Sequence, residues 1–394
     1  MEENKMMEDG FLCVNKPRGI TSFDALQVIL REILNGKSPK KRVKIGHAGT
    51  LDPLAEGVLV VALNRATKLI RYVQQQPKTY VATFLLGVES DSEDTETEMR
   101  KLENVSVPTK REIMEKLSEF TGEILQMPPA YSALKIKGKR AYDLARKGKK
   151  VELTPRPIKI FELKLLEYEY PLLKLEIICG SGTYIRSLGR DFARSLGTSA
   201  VMSELTRTAV GVFYLDDAVQ IRIQKENKIK KKEDAQLKKD NPVMNERGAS
   251  SFSAEIMHMN ESEKLKRIKD QESPESEGDT ETIQVIQKAE TNFESGEKKL
   301  DLQDYDSSGE RGDFLRTKIR PVRDAVPEWP VVFYDEEKQK LLRNGVPVPV
   351  PEEAKWMMNS DQKDFVVLSQ KDGSFLALVH MGEDGRLRST INFT

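Results

Sequence analysis

The sequence predicts an α+β fold with a separate small β-rich region at the C-terminal end. Strand-like and helix-like patterns are interspersed from Phe11 to Gln224. Residues 225–315 are instead rich in charged and polar side chains and poor in aromatic ones, so they cannot bury enough apolar surface to form a core. Beyond Arg320, short apolar stretches return, separated by turn signals such as Asn344-Gly345.

Strands are expected where apolar and β-branched residues cluster, and helices where apolar residues recur every three or four positions behind a capping residue. The expected strands cover residues 11–17, 57–63, 78–88, 158–170, 172–179, 329–334, 346–350, 365–368 and 375–379. The expected helices begin at Thr21 or Ser22, run over 66–73, follow the capping box of Thr109 and Glu112, and run over 184–196.

The balanced charge of the whole chain hides an uneven distribution. Lys and Arg number 63, and so do Asp and Glu. Residues 225–315 carry 16 basic and 22 acidic side chains, so the rest of the chain has a net charge of +6. A modestly basic remainder is compatible with nucleic-acid binding without establishing it.

Composition argues against several classes of protein. Two cysteines, Cys13 and Cys179, and three histidines are too few for a disulfide scaffold or a Cys/His metal site. No apolar run reaches the ~20 residues of a membrane-spanning helix, and residues 1–10 lack the apolar centre of a signal peptide. Gly-Lys-Ser at 36–38 has Arg31 where a phosphate loop requires glycine. We therefore expect a cytoplasmic protein, with no metal or dinucleotide site indicated.

A loop at residues 46–57, GHAGTLDPLAEG, presents a carboxylate and an imidazole. Its three glycines let the backbone approach a ligand closely, and the proline after Asp52 restricts that residue to extended geometry. A functional loop built around Asp52 and His47 is one interpretation. An ordinary turn beside a strand is the other, and this stretch alone favours the turn.

Two further stretches carry polar and aromatic groups at suggestive positions. GSGTYIRSL at 180–188 joins a predicted strand to a predicted helix, and its glycines could cradle a phosphate beside Tyr184 and Arg186. Basic residues interleaved with Tyr131 at 127–140 suit contact with an RNA backbone and stacking on a base. Taken singly, a helix-entry loop explains the first stretch at least as well, and a basic run such as the second is usually a solvated hairpin.

Taken together and in this order, these motifs resemble the TruB family of pseudouridine synthases. The matching strings are NKPRGITS at 15–22, GHAGTLDPLAEG at 46–57, KTY at 78–80, PPAYSALK at 128–135 and GTYIRSL at 182–188. The resemblance covers about residues 11–224 and, more weakly, 320–394. It implies a mixed, mainly antiparallel sheet with flanking helices and a PUA-like C-terminal domain. It also implies conversion of uridine 55 in the TΨC loop of tRNA to pseudouridine, without metal or organic cofactor.

The resemblance implies catalytic roles for four residues. Asp52 matches the essential aspartate, which either attacks C1′ as a nucleophile or removes the C2′ proton in a glycal route, and the sequence leaves both open. Tyr80 matches an aromatic that stacks on the target base and assists the late proton removal, and Tyr184 matches a second pocket aromatic. Arg186 matches the arginine that pairs with the aspartate and favours its charged form.

Five further residues are implied to bind RNA or the target base. Lys16 matches a lysine near the floor of the active site, and Leu205 matches an apolar pocket residue. His47 matches the histidine that fills the space left by the extracted base, with a general base as the alternative role. Tyr131 and Lys135 belong to the thumb segment, which we define as residues 125–150 and expect to close over the RNA.

The expected domain organisation follows from the same comparison. It comprises a disordered N-terminus at 1–10, a catalytic domain at 11–224, a charged insert at 225–315 and a PUA-like RNA-binding domain at 316–394. The insert departs from the bacterial pattern. A solvated linker is the favoured interpretation, and regulation or partner binding is the alternative.

The expected partner is the TΨC arm of tRNA, bound by a monomer without an obligate protein partner or a membrane. Two other functions stay open on the sequence. One is a pseudouridine synthase that depends on a guide RNA, which the presence of a thumb segment disfavours. The other is an RNA-binding protein that remodels tRNA without chemistry as its main role.

Overall fold

A computed structural model describes residues 9–34, 43–132, 135–136, 139–140, 153–221, 310–352, 354–355 and 361–393. The helices in these ranges are α1 (Ser22–Ile33), α2 (Ile70–Gln75), α3 (Lys110–Leu117), α4 (Ile185–Ser195), α5 (Glu310–Thr317) and α6 (Glu336–Arg343). None of them is long and apolar enough to cross a membrane.

The strands before Ile221 are β1 (Gly10–Lys16), β2 (Ile45–His47), β3 (Glu56–Leu63), β4 (Lys78–Leu86), β5 (Val88–Glu89), β6 (Arg100–Lys101), β7 (Gly122–Gln126), β8 (Lys135–Ile136), β9 (Lys139–Arg140), β10 (Arg156–Glu169), β11 (Leu172–Cys179), β12 (Ala200–Val210), β13 (Phe213–Tyr214) and β14 (Val219–Gln220). The later strands are β15 (Val331–Tyr334), β16 (Val348–Pro349), β17 (Asp364–Ser369), β18 (Phe375–Met381) and β19 (Arg386–Asn392).

Ten of these strands form one large sheet, in the order β14-β1-β3-β12-β4-β11-β10-β7, with β2 paired to β3 and β13 paired to β12. Among the described pairs of this sheet, only β1–β14 and β3–β12 are parallel. The other pairs are antiparallel, with β4 between β11 and β12. The predicted mixed, mainly antiparallel sheet with flanking helices is therefore confirmed.

Successive residues of a strand face opposite sides of the sheet, and β3 is apolar on both. Leu59 and Val61 pack with α1, whereas Val58 and Val60 belong to a second cluster that also contains residues of the C-terminal region. The half of the sheet around β4 is covered on one side by α3 and α4. The helices thus bury the face of the sheet from which Tyr80 and Leu205 project.

The C-terminal region forms a five-stranded sheet in the order β15-β17-β18-β19-β16 around its own apolar core. This agrees with the small β-rich region predicted from the sequence. It joins the large sheet through paired backbone bonds between Phe11 and Arg320, with N···O distances of 2.9 and 2.7 Å. The rings of Tyr72 and Trp329 also meet edge to face, 5.2 Å apart. Val366 and Leu378 of this sheet also share a buried apolar cluster with Val58 and Val60 of β3.

The structure departs from the expected elements in three ways. Among the longer elements, β12, β19 and α6 were not expected from the sequence. The stretch expected as a helix at 66–73 is a 3₁₀ helix (Asn64–Leu69) followed by α2. Residues 310–315, expected to belong to the charged insert, form part of α5, because Leu315 is buried against α1. The remainder of the insert, together with residues 1–8, lies outside the described residues.

Candidate active site

The loop that carries Asp52 runs from the end of β2 to the start of β3 and is clamped by the NKPRGITS segment. The buried hydroxyl of Ser22 donates to the carbonyl of Leu51 (2.9 Å) and accepts from its backbone N–H (2.8 Å). Arg18 donates through Nε to the carbonyl of Leu54 (3.0 Å), and Gly19 N–H donates to Pro53 (2.8 Å). The two motifs, although distant in the sequence, thus form one structural unit.

Asp52 forms an ion pair with Arg186, the second residue of α4, with Oδ2 and Nη2 3.0 Å apart. The Asp52 side chain is 42% exposed and that of Arg186 only 8%. The carboxylate is therefore open to a ligand, while the guanidinium behind it is fixed. A buried arginine in this position holds the carboxylate in a fixed orientation.

Arg186 itself is held by groups on two other segments. Its Nη1 contacts the Asp94 carboxylate (3.1 Å) and donates to the Ser92 carbonyl (2.9 Å). Its Nη2, besides contacting Asp52, donates to the carbonyl of Tyr131 (3.0 Å). Burial acts to lower the pKa of Arg186, but the neighbouring carboxylates outweigh it, so the pKa is raised. The guanidinium therefore stays charged.

Two tyrosines line the same region. Tyr80 lies on β4, 8% exposed, opposite Ile177 of β11. Tyr184 is half-buried at the start of α4, where the Gln126 side chain accepts from its N–H (2.9 Å) and donates to its carbonyl (3.0 Å). Burial raises the pKa of both phenols, so both are neutral near pH 7. Leu205 of β12 shares the apolar cluster of Tyr80.

Two basic groups complete the site. Lys16, at the end of β1, is fully buried and donates through Nζ to the carbonyls of Pro17 and Ile20, both at 2.9 Å. Burial lowers its pKa to about 8, and the Asp52 charge partly opposes that effect. His47 ends β2, and its Nδ1 is buried without a hydrogen-bond partner in the described structure. Burial also lowers the pKa of His47, so its ring is neutral near pH 7.

Comparison with known proteins gives a consistent result. The sequence model described as "TruB family pseudouridylate synthase (N terminal domain)" matches residues 32–185. A protein of Dehalococcoides mccartyi named tRNA pseudouridine synthase B is 46% identical over 211 residues, which cover 54% of this chain and 68% of that protein. One of Parabacteroides distasonis with the same name is 46% identical over 205 residues, covering 52% of this chain and 87% of that protein. This chain belongs to the TruB family of pseudouridine synthases.

The family prediction made from the sequence, and with it the enzyme class, is thereby confirmed. A relative from Rhodopirellula baltica, also named tRNA pseudouridine synthase B, is 45% identical over 53% of this chain, and the match spans 60% of that relative's length. Among solved structures, a chain of the archaeal box H/ACA sRNP Nop10-Cbf5 complex resembles this one with a TM-score of 0.54. That likeness covers 98% of this chain and 87% of the other, and at 19% identity it shows the shared fold.

Of the family positions predicted from the sequence, the structure brings together Asp52, Tyr80, Tyr184, Arg186, Lys16, His47 and Leu205. Tyr131 reaches the site through its backbone carbonyl. Lys135 lies in β8, but its side chain, like most of the thumb segment beyond residue 132, lies outside the described residues. Its predicted contact with RNA stays a prediction.

The structure also adds polar residues to this TruB site that the sequence had not indicated. Asp94 and Glu93 sit within an acidic stretch that is typical of a solvated surface, yet Asp94 is 1% exposed and pairs with Arg186. Glu93 pairs with Arg190 and accepts from Ser187 (2.6 Å). Arg207 lies two residues after Leu205 on β12 and is only 1% exposed. Only proximity in the fold distinguishes these side chains from ordinary surface charges.

Proposed function

We propose that this chain is a tRNA pseudouridine synthase that converts uridine 55 in the TΨC loop to pseudouridine, without metal or organic cofactor. The observation that carries the proposal is the Asp52–Arg186 pair, an exposed carboxylate held by a buried guanidinium. Relatives named tRNA pseudouridine synthase B supply the substrate class. The cytoplasm, where tRNA is processed, is the location that this substrate implies.

The reaction needs a carboxylate beside the sugar of the target nucleotide. As the N1–C1′ bond breaks, its electron pair leaves with the base and positive charge develops at C1′. Asp52 either attacks C1′ or removes the C2′ proton, and both steps need an ionised, aimed carboxylate. The uracil then turns and C5 bonds to C1′, while the bond between Asp52 and C1′ breaks or, in the glycal route, Asp52 returns its proton to C2′. The C5 proton leaves to restore the aromatic ring, and N1 takes up a proton.

The two tyrosines suit the handling of a planar base. A uridine inside a folded loop must be extracted, at a cost of a few kcal/mol, and stacking on an aromatic ring offsets part of that cost. We assign stacking on the target base to Tyr80, with Tyr184 as the second wall of the pocket. Because Tyr80 is neutral near pH 7, it can accept the C5 proton only if it gives up its own hydroxyl proton.

The remaining positions are assigned to RNA binding. The neutral ring of His47 fills the space that the extracted base leaves, Lys16 forms the floor, and Leu205 packs beside the base. Tyr131 and Lys135, at the base of the thumb segment, contact the RNA backbone. We assign a supporting RNA contact to the C-terminal sheet at 316–394, and we expect a monomer to act without a protein or guide-RNA partner.

The test of this proposal separates binding from turnover. We expect Asp52→Asn to bind the transcript as the wild type does, because the substitution keeps the size of the side chain. Its turnover should fall by about 10³-fold or more, because the reactive carboxylate is gone. Turnover is followed as release of tritium from a tRNA transcript labelled at C5 of uridine.

Asp313→Asn is a matched control, because Asp313 is 74% exposed on α5 and remote from the chemistry. It should leave tritium release unchanged. Full turnover by Asp52→Asn would contradict the proposal. Turnover by the wild type only after addition of a guide RNA would replace it with the guide-dependent interpretation.

A further inference from the structure

Three basic side chains are buried in and beside the site without a carboxylate within 4.0 Å among the described residues: Lys16, Lys78 and Arg207, which are 0%, 6% and 1% exposed. Each is surrounded by backbone carbonyl oxygens instead. Lys78 donates to Gln74 and Gln76, the latter at 2.7 Å. Burying a charge is costly unless an opposite charge accompanies it. The presence of such groups despite this cost indicates that positive electrostatic potential in this part of the site serves a function.

Arg207 lies at the centre of this group. Its position on β12 is directly opposite Tyr80 on β4, so the two side chains are neighbours on one face of the sheet. Its Nη2 donates to the Gly49 carbonyl (3.0 Å) and its Nε to the Val58 carbonyl (2.7 Å). Those two carbonyls precede and follow Asp52 in the chain. Arg207 therefore connects the aromatic side of the pocket to both ends of the loop that carries the carboxylate.

The other side of Asp52 has the opposite sign. There one cation, Arg186, lies between two carboxylates, those of Asp52 and Asp94. That group carries a net charge of −1 when all three are ionised. Arg207 lies beside Tyr80, and Lys16 lies near Arg207 and Asp52. The two cations add up to +2 when charged, and the charges of Glu56 and Arg18, also near Lys16, offset one another. The site is thus polarised, with negative charge towards Arg186 and positive charge towards Tyr80.

Cleavage of a glycosidic bond separates charge in the same sense. The sugar becomes positive, and the base takes the electron pair of the N1–C1′ bond, so that negative charge spreads over N1, O2 and O4. We propose that Lys16 and Arg207 stabilise the departing uracil anion by their electrostatic field. This inference rests on the proposed function, since it assumes a uridine whose base stacks on Tyr80. Fixed charges of this kind need no reorganisation when the bond breaks.

If Lys16 and Arg207 stabilise the uracil anion, the rate lost on removing either charge should depend on how basic the departing base is. Fluorine at C5 withdraws electron density, so the 5-fluorouracil anion needs less stabilisation than the uracil anion. We expect Lys16→Met and Arg207→Met each to slow single-turnover cleavage of a uridine transcript by about 10²-fold. On a transcript with 5-fluorouridine at the target, the loss should be about tenfold smaller. Lys16→Arg and Arg207→Lys should retain more activity than the Met variants on uridine, because they keep the charge.

Cleavage of both transcripts is measured as loss of the starting nucleoside after digestion of the RNA, since C5 of the fluorinated base carries no proton to release. The dissociation constant of the RNA and the midpoint of urea unfolding are measured for each variant. Lys164→Met and Arg111→Met serve as matched controls, because these side chains are 52% and 87% exposed in surface ion pairs. If Arg207→Met does not fold, Lys16→Met alone still allows the losses on the two transcripts to be compared.

Equal losses on the two transcripts would overturn the proposal, because a group that only maintains the shape of the site slows both substrates alike. Full activity of the Met variants would overturn it as well. An inactive wild type would refute the proposed function itself. These results are distinguishable, because the wild-type rate on uridine is measured in every series.

Discussion

At the scale of single residues, the site depends on buried side chains that hold one another in place. Arg186 can hold Asp52 because Asp94 and Ser92 hold Arg186. The sequence motifs contain Asp52 and Arg186 but neither Asp94 nor Ser92. Matching positions to a family pattern therefore predicted the pairing of Asp52 with Arg186. The groups that support them are distant in sequence and acquire meaning only when the chain is folded.

The lowered pKa of Lys16 makes a prediction about stability. The folded pKa is about 8 and the ordinary value is 10.5, so between these values the unfolded chain binds a proton that the folded chain does not. The free energy of unfolding therefore rises with pH across this window. Relative to Lys16→Met, the wild type should gain on the order of 3 kcal/mol from about pH 8 to about pH 10.5.

Urea unfolding of both proteins over this pH range measures the gain. Subtracting the curve of the variant removes the titrations that the two proteins share. Lys164→Met, at an exposed position, should follow the wild type. Parallel curves for the wild type and Lys16→Met would show that Lys16 titrates normally.

At the scale of elements, strands marked by apolar and β-branched residues were predictable, and a strand with polar residues at buried positions was not. β10 and β11 are indicated by their apolar and β-branched residues on either side of Pro171, and the structure has both. β12 was missed although it lies in the middle of the sheet. Its pairing with β4 shifts register between Met202 and Glu204 and again between Arg207 and Ala209. β10 contains two such shifts as well, so what hid β12 is its polar residues at buried positions, Ser203 and Arg207.

The clamp between the start of α1 and the Asp52 loop predicts the effect of removing one hydroxyl. Ser22 is 2% exposed and makes both of its hydrogen bonds to Leu51. Ser22→Ala leaves a buried N–H and a buried carbonyl unpaired, so we expect a loss of about 1–3 kcal/mol of unfolding free energy. Turnover should fall as well, because the loop that aims Asp52 is loosened.

Urea unfolding and tritium release check both effects. Ser118→Ala is the control, since the exposed hydroxyl of Ser118 bonds only to Glu115 within α3 and the turn after it. It should change neither quantity measurably. A Ser22→Ala protein as stable and as active as the wild type would show that the clamp does not position the loop.

At the scale of the whole molecule, the distribution of charge and the order of the strands distinguish the parts of the chain. The basic remainder of the chain, with a net charge of +6 outside 225–315, suits a polyanionic substrate. The C-terminal sheet shares an apolar cluster with β1 and β3. Every side chain that we assign to chemistry lies between Lys16 and Arg207, within the part of the chain that forms the large sheet. The purified chain is therefore expected to act on tRNA without a partner.

Mapping of pseudouridine on an unmodified tRNA transcript tests that claim most directly. The transcript is incubated with the purified chain or with Asp52→Asn, treated with a carbodiimide that marks pseudouridine, and read by primer extension. We predict a single new stop, at uridine 55, with the wild type only. No stop with the wild type, or an equal stop with Asp52→Asn, would contradict the account.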